Sequence, residues 1–488
     1  MSEEITTAGL FSDLSNEFKD SGPAGFICND KGIPVGPNER HWIDAIAASG
    51  IVIYDPLPEM FYYFHDGLWS PKTRAEVREI VDRYIRASTK ARVNFDKLLS
   101  RRPLDGIVDR LAGHPCVVQR DAFAKPRLGV VLVANGRLEI SRSGRLDFQA
   151  GERGKPEDLQ QKRLEMNYNP AAVAIKTLAW LNRAFSGRGD DVQAIAKAMG
   201  ASLWGSNRWK TLLVIFGKPN LGKSQIPLLI AELIGWARVA KFDTKHLAEK
   251  FELRRLVGRV LMIAPDVPQD FLAHTSADVL KSLTGFDALR VEGKNSNEEF
   301  ELRGDKMIVV TSNYEPRVRS GVDRDALKTR LVIVEADGES YTAEEQDTEL
   351  LTTLFGDAEE ASGILNLALA GMRELLELGW LRSEYQMTRV RRVLDQGENV
   401  TLWAAQALEL GDNSERPGVT ISEGWACYRR WTRQEGVEAW PEKTFREMAP
   451  NAVERAWGKT QSGSISRIED LERGRTCQRG WRGLKMKL

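Results

Sequence analysis

The sequence of 488 residues has few cysteines and few histidines. Its four cysteines, Cys28, Cys116, Cys427 and Cys477, lie far apart, and no two form a CxxC pair. The five histidines are equally dispersed along the chain. This scarcity argues against a zinc site and against a disulfide framework, and it favours a reducing cytosol.

Long apolar runs and an excess of positive charge are also missing. No segment reaches the roughly 18 consecutive apolar residues that a membrane helix needs. The N-terminal stretch MSEEITTAGLFSDLSNEF lacks the basic start and apolar core of a signal peptide. We therefore expect a soluble, cytoplasmic protein with no membrane partner. Lysine plus arginine equals aspartate plus glutamate at 69 each, so any nucleic-acid contact must come from local patches.

The spacing of the apolar residues that are present predicts several domains. Residues 1–24 are polar and weakly periodic, which is typical of a mobile tail. Residues 25–165 combine helical spacing with alternating runs between turns, which predicts an α/β domain. A helical connector is expected over 166–208, where the second helix begins at an Asp N-cap candidate and can stop near Gly200.

Four short, largely β-branched runs recur in the next region, which we place at 209–385. They read TLLVIF, RVLMIA, KMIVVT and RLVIVE and begin at residues 211, 259, 306 and 330. Helix-sized intervals separate them, as expected for strands buried on both faces of a mainly parallel sheet. The remaining residues, 386–488, read as a small helical or winged-helix module with a basic end.

The first of these runs ends in a phosphate-binding motif. The segment GKPNLGKS at 217–224 matches GxxxxGK[ST], directly after a strand pattern and before the helix pattern QIPLLIAELIG. Backbone N–H groups of such a loop and of the helix N-terminus point at bound phosphates. An ordinary strand-to-helix turn would not require a lysine and a hydroxyl there. The residues predicted to contact the nucleotide are Gly217, Lys218, Pro219, Asn220, Leu221, Gly222, Lys223, Ser224 and Gln225.

Two side chains of this loop carry the expected chemistry, and a third follows the second strand. Lys223 is expected to reach the β- and γ-phosphates of ATP, and Ser224 to bind Mg²⁺. Asp266 ends the strand RVLMIAPD and is the second predicted Mg²⁺ ligand, in the layout of a Walker B motif. The next carboxylate, Asp270, lies four residues on, so the group that orients the attacking water is left open.

Further candidates follow the third strand and precede the fourth. Asn313 ends KMIVVTSN and would hydrogen-bond the γ-phosphate or the attacking water, although an Asn after a strand is usually part of a turn. Arg324 and Arg330 precede the last strand. An arginine at a subunit boundary can reach a neighbour's γ-phosphate, and we prefer Arg330 for that role, with a surface salt bridge as the alternative.

The ordered set GKPNLGKS, RVLMIAPD, VLKSLTGFDALRVEGK, KMIVVTSN and DALKTRLVIVEA resembles the superfamily 3 helicases. It is most similar to the helicase part of the phage, plasmid and poxvirus primase-helicases. The flanks are similar too, since VVLVANGRLEISRSGRLDF resembles the domain before that motor and GWACYRRWTRQEG with TFREMAP resembles its winged-helix tail. The resemblance covers roughly residues 50–488 and is most specific in the motor.

The resemblance implies an AAA+-like P-loop NTPase core, preceded by an α/β domain and followed by a winged-helix-like DNA-binding domain. It implies catalytic roles for Lys223, Asp266, Asn313 and Arg330 and a DNA-contacting loop that carries Lys294. A turn-like cluster at 293–295 agrees with that loop, although a solvated turn lysine would look the same. ATP and Mg²⁺ are the implied cofactors, and the implied assembly is a homo-oligomeric ring, a hexamer by family.

Two departures from the family narrow the expected function. Val267 follows Asp266 where the family often has a second acid, and no primase motif is present, so a separate polypeptide would supply priming. The last 18 residues hold four Arg and two Lys against one Glu, a basic patch suited to phosphates. We expect a helicase acting on single-stranded and forked DNA of a phage, plasmid or mobile element. The alternatives are an origin-binding replication initiator or loader ATPase that does not translocate, and a P-loop protein that acts on something other than nucleic acid.

Overall fold

The protein forms two compact units. The computed structural model describes residues 24–56, 59–90, 93–120, 122–123, 127–244, 246–247, 255–256, 258–272, 276–292, 299–318, 324–411, 418–437, 439–465 and 478–487. The first unit runs to Tyr168, except for Arg142–Arg145, which belong to the second. The second unit contains the described residues from Asn169 onward. The predicted tail at 1–24 lies almost entirely outside the described residues.

The first unit combines small antiparallel sheets with helices. Its elements are β1 Phe26–Cys28, β2 Pro34–Pro37, α1 Glu39–Ser49, β3 Val52–Asp55, β4 Met60–His65, β5 Leu68–Lys72, α2 Arg74–Ser88, α3 Phe95–Leu98, α4 Arg101–Leu111, β6 Val130–Val133, β7 Gly136–Ile140 and β8 Leu146–Ala150. Strands β3–β4–β5 and β6–β7–β8 form two three-stranded antiparallel sheets. A capping box between Thr73 and Glu76 starts α2.

A buried ion pair lies beside the second of these sheets. Arg137 on β7 donates through Nε and Nη2 to Asp158, at 2.9 Å in both cases, and both side chains are fully buried. Arg137 also donates to Glu139, and the N–H of Lys155 donates to Asp158. The sheet therefore depends on a charge pair that is sealed from water.

The second unit contains the sheet predicted from the four apolar runs. Its elements are α5 Ile175–Ala184, α6 Gly189–Trp204, β9 Leu212–Gly217, α7 Gln225–Ile234, β10 Val239–Lys241, β11 Leu261–Ala264, α8 Ser276–Gly285, β12 Ala288–Glu292, β13 Glu299–Arg303, β14 Met307–Ser312, α9 Arg324–Arg330, β15 Leu331–Ala336, α10 Leu350–Gly356, α11 Ala358–Leu378, α12 Glu384–Gly397, α13 Asn399–Ala407, β16 Leu408–Leu410, β17 Val419–Thr420, α14 Ile421–Gln434, α15 Glu442–Trp457, β18 Ser462–Ile465, β19 Gln478–Trp481 and β20 Leu484–Met486.

Five of these strands form one parallel sheet, made of the four predicted strands and the short strand β10. The order is β10–β11–β14–β9–β15, and every neighbouring pair is parallel. Strand β14 therefore lies between β9 and β11, and the carboxyl ends of all three meet at one edge. Buried positions run almost without interruption through β9, β11, β14 and β15, because both faces of the sheet are covered.

Helix α6 is longer than the sequence predicts. It continues through Gly200 to Trp204 and is capped by Gly205, which adopts φ 86°. Gly200 is not a stop signal, because it allows α11 to approach: a Cβ there would lie 2.4 Å from the backbone nitrogen of Met372. On the facing helix, a Cβ at Gly371 would lie 2.1 Å from the carbonyl oxygen of Ala196. Two glycines on facing helices thus set this close packing.

The region after residue 385 contributes to two cores. From α12, Val390, Val393 and Leu394 join the cluster of buried residues that includes the parallel strands. A separate aromatic core forms around Trp403 of α13, whose ring lies 5.1 Å from that of Phe445 on α15. Strands β17–β19–β18 form a three-stranded antiparallel sheet beside these helices. Among the described residues, no helix is both long enough and apolar enough to cross a bilayer.

Candidate functional site

In the loop between β9 and α7, a side chain at either of two glycine positions would clash with neighbouring atoms. Gly217 adopts φ 140°, and a Cβ there would lie 2.0 Å from the carbonyl oxygen of Ala336. Gly222 adopts φ 73°, and a Cβ there would lie 2.6 Å from Nε1 of Trp180. Asn220 also has a positive φ, 59°, which asparagine tolerates better than most residues. The two motif glycines are therefore needed for close approach as well as for their dihedral angles.

The carbonyl groups of this loop are held by donors around it. The carbonyl of Pro219 accepts from Ser340 Oγ at 2.9 Å, and that of Asn220 accepts from the N–H of Tyr341 at 2.8 Å. The carbonyl of Leu221 accepts from Trp180 Nε1 at 3.3 Å. The loop's acceptors are thus occupied by the protein itself.

The N–H groups of the same loop are arranged differently. Within the described part of the chain, those from Asn220 through Ser224 donate to no protein acceptor. They stand at the N-terminus of α7, where the helix dipole adds positive potential. Consecutive N–H groups at such a helix end are suited to bind phosphate oxygens, so the loop fits a nucleotide's phosphates.

Lys223 is a buried cation in this loop. Its side chain is only 5% exposed, and its ammonium group donates to the carbonyl oxygen of Lys218. Burial lowers the pKa of Lys223 from its usual value, and the carboxylate of Asp266 acts in the opposite direction. The structure therefore brings Lys223 and Asp266 within electrostatic reach of each other.

Asp266 follows β11 in a constrained turn. It adopts φ 51°, and its N–H donates to Thr311 Oγ1 on the neighbouring strand β14 at 3.2 Å. The next N–H, of Val267, donates to the Thr311 carbonyl at 2.8 Å. Asp266 itself is exposed, and so is Ser224, whose hydroxyl makes no capping bond at the start of α7. A free carboxylate and a free hydroxyl at one sheet edge are suitable oxygen ligands for Mg²⁺.

Asn313 lies between these groups because of the strand order. It directly follows β14, the strand between β9 and β11, and it is exposed. Asp270, the second carboxylate considered from the sequence, is half-buried beyond Val267.

Arg330 lies at the opposite edge of the sheet. It ends α9 immediately before β15, whose first residue, Leu331, pairs with Leu212 at the beginning of β9. A six-residue strand spans about 20 Å, so Arg330 cannot contact the phosphate loop of its own chain. Its Nη1 donates to the Ala326 carbonyl at 3.0 Å, and its buried Nε has no acceptor among the described residues.

The predicted DNA-contacting residue, Lys294, lies outside the described residues. The strands on either side of it, β12 and β13, pair antiparallel from Ala288↔Arg303 to Glu292↔Glu299. For Arg324, the structure gives only its place as the first residue of α9.

Sequence reasoning missed the residues that support the loop from outside. Trp180, Ser340 and Tyr341 bind loop carbonyls but lie at least 40 residues away in the chain. No motif marks them. Thr311 was also missed, although its position one residue before the end of β14 is a signal that strand spacing could have provided.

Comparison with known proteins gives a partial family match. Residues 215–330, which include Lys223, Asp266, Asn313 and Arg330, match a family of unknown function, DUF5906. No curated protein matches the chain. The A form apo structure of the NrS-1 C-terminal region is similar at 13% identity with a TM-score of 0.42, covering 89% of this chain and 93% of that chain. A second apo structure of that region gives 12% identity, a TM-score of 0.43 and coverage of 92% and 99%.

Proposed function

We propose that the protein is an ATP- and Mg²⁺-dependent DNA helicase that works as a homo-oligomeric ring. Its setting would be the cytoplasm of a bacterium or infected host, where a phage, plasmid or mobile element is replicated. The observation that supports this most is the 217–225 loop, whose carbonyls are occupied while its N–H groups from Asn220 through Ser224 are free to bind phosphates.

Each residue has a defined role in ATP hydrolysis. The loop N–H groups bind the phosphates, and Lys223 neutralises charge on the β- and γ-phosphates. Ser224 and Asp266 would hold Mg²⁺, which adds further positive charge at the phosphates when bound. Asn313 orients the γ-phosphate or the attacking water from the strand between them.

Arg330 would act on the nucleotide of a neighbouring subunit. It lies across the sheet from its own loop, so a role in hydrolysis requires a second chain. A guanidinium delivered by that neighbour would stabilise the charge that grows during phosphoryl transfer. This requirement is the reason for proposing a ring, which by the family resemblance would be a hexamer.

Contact with DNA is assigned to two basic features. Lys294, between β12 and β13, would touch single-stranded DNA in the central channel. In the C-terminal module, Arg479 on β19 is exposed and would contact DNA phosphates. A separate primase would then supply primers on the unwound strand.

The proposal is tested with Lys223→Ala. We expect the wild-type chain to show ATPase activity that single-stranded DNA stimulates, and to displace a strand from a forked duplex. Both activities should be lost in the variant, because the loop no longer neutralises the phosphates. A Lys223→Ala protein that unwinds at the wild-type rate would refute the assignment.

An origin-binding initiator is the second candidate. The exposed Arg479, on an antiparallel sheet beside packed helices, suits binding to duplex DNA without translocation. Sequence-specific duplex binding and ATP binding, with no strand displacement under any ATP condition, would favour this candidate over the helicase.

A further inference from the structure

We propose that Arg183, on the connector helix α5, is a positioning residue for nucleotide binding. It would act through the segment 337–345, called here the brace, which follows β15 and covers the outside of the phosphate loop. The inference rests on the proposed nucleotide site, and it adds a residue and an element that neither the motif nor the family match includes, since that match ends at residue 330.

The brace holds the loop carbonyls away from the phosphate side. Ser340 and Tyr341 donate to the carbonyls of Pro219 and Asn220. The ammonium of Lys218 donates to the carbonyl of Asp337 at 3.0 Å. A peptide unit that points its carbonyl outward must point its N–H the other way. The brace therefore determines which side of the loop presents donors to phosphate.

Arg183 fixes the brace through several contacts at once. Its Nη1 and Nη2 bind the two carboxylate oxygens of Glu345 at 3.1 and 3.0 Å. Its Nε donates to the carbonyl of Glu339 at 3.2 Å, and its guanidinium lies 3.9 Å above the Tyr341 ring. Bidentate pairing with stacking is a geometry that arginine provides and lysine does not. One side chain thus holds both ends of the segment that touches the loop.

The backbone of the brace also lies directly against the backbone of helix α5 beside Arg183. The N–H of Gly338 donates to the Ala184 carbonyl at 3.2 Å, and a Cβ at Gly338 would lie 1.7 Å from the carbonyl oxygen of Arg183. The same helix provides Trp180, which is 4% exposed and binds the Leu221 carbonyl. Helix α5 therefore supports the loop directly and through the brace.

The test compares Arg183→Ala and Arg183→Lys with Arg86→Ala as the matched control. Arg86 also pairs with two acidic side chains, Asp82 and Asp96, and its guanidinium lies 5.2 Å from the Phe95 ring, but it belongs to the first unit. We expect the KM for ATP to rise about tenfold in Arg183→Ala with kcat at saturating ATP kept within about twofold. The KM for ATP of Arg183→Lys should lie between those of the wild type and Arg183→Ala. The KM of Arg86→Ala should match that of the wild type.

A second measurement needs no nucleotide. Hydrogen exchange of peptides covering 338–345 should be faster in Arg183→Ala than in the wild type, because the N–H groups of Gly338 and Tyr341 donate to the carbonyls of Ala184 and Asn220 and lose that protection when the brace is released. Strand β9 should stay protected in both proteins. Unchanged exchange together with an unchanged KM would overturn the positioning role and leave the nucleotide site intact. A wild-type chain that binds no ATP would refute the proposed function, and the exchange result would still decide whether Arg183 holds the brace.

Discussion

Several residues at the carboxyl edge of the parallel sheet have features that lower the stability of the folded chain. Lys223 is a nearly buried ammonium group whose pKa burial lowers, with Asp266 partly offsetting that effect. Asp266 adopts a positive φ, as does Asn220. Such features are retained when function requires them. These three residues meet at one edge of the sheet, which agrees with the proposed nucleotide site.

A different buried charge, in the first unit, has a stabilising role that can be measured. Replacing Arg137 by Met would leave the fully buried carboxylate of Asp158 without its main partner. We expect the free energy of unfolding of that unit to fall by about 3–5 kcal/mol, measured by calorimetry on the full chain. Arg137→Met combined with Asp158→Asn should recover much of the loss. A double variant as unstable as the single one would contradict this.

The same pair predicts how the first unit responds to acid. Burial acts to raise the pKa of Asp158, but Arg137, the Lys155 N–H and Arg127 outweigh it, and the net shift is downward from 3.8. A carboxyl group with a lowered folded pKa stabilises above its unfolded value and loses that contribution as the pH falls through the folded pKa. The difference between the wild type and the double variant should therefore be constant above about pH 5 and shrink below about pH 4.

At the scale of elements, strand β14 positions the turn that follows its neighbour, strand β11. Thr311 accepts the N–H of Asp266 and thereby fixes the turn in which that carboxylate stands. Thr311→Val keeps the shape and removes the acceptor. We expect kcat for ATP to fall about tenfold with nucleotide affinity nearly unchanged, because the effect falls on the orientation of Asp266. Steady-state ATPase assays and equilibrium ATP binding separate the two quantities.

Thr311→Ser is the control for that substitution. It keeps the hydroxyl and removes only a methyl group from a buried position, so its ATPase activity should stay near the wild-type value. Equal losses in the Ser and Val variants would show that packing, and not the hydrogen bond to Asp266, accounts for the effect.

The elements also show what the sequence could predict. The four apolar runs predicted β9, β11, β14 and β15 to within about two residues and as parallel, because burial on both faces leaves a continuous apolar signal. The three-residue strand β10 gave no such signal. Gly200 was misread as a helix end because its reason, contact with α11, lies about 170 residues away in the chain.

The candidate site also has a part that the sequence predicts and a part that it does not. The loop from Gly217 to Ser224 is contiguous, so its spacing alone indicates its chemistry. Trp180, Arg183 and Tyr341 support that loop through tertiary contacts, and such contacts leave no local pattern. The roles of Asp266, Asn313 and Arg330 stay predictions, and so does that of Lys294, which lies outside the described residues.

At the scale of the whole molecule, the separation of Arg330 from the phosphate loop predicts complementation between chains. Lys223→Ala and Arg330→Ala should each be inactive alone. In an equal mixture, about a quarter of randomly formed boundaries would join an intact lysine to an intact arginine, so ATPase activity should partly return. No recovery after subunit exchange, measured at the same total protein concentration, would rule out a shared site.

The brace also bears on how the chain is made. In the brace, the partner that binds the Pro219 carbonyl is Ser340, which lies 121 positions further along the sequence, and Tyr341 binds the next carbonyl, that of Asn220. A ribosome that has completed the phosphate-binding motif must therefore still synthesise the rest of the sheet before the loop is supported. A growing chain should acquire tight nucleotide binding only after residue 345 has emerged from the exit tunnel. Under the proposed function, ATP would bind only the folded site and would therefore stabilise the chain in the last step of folding.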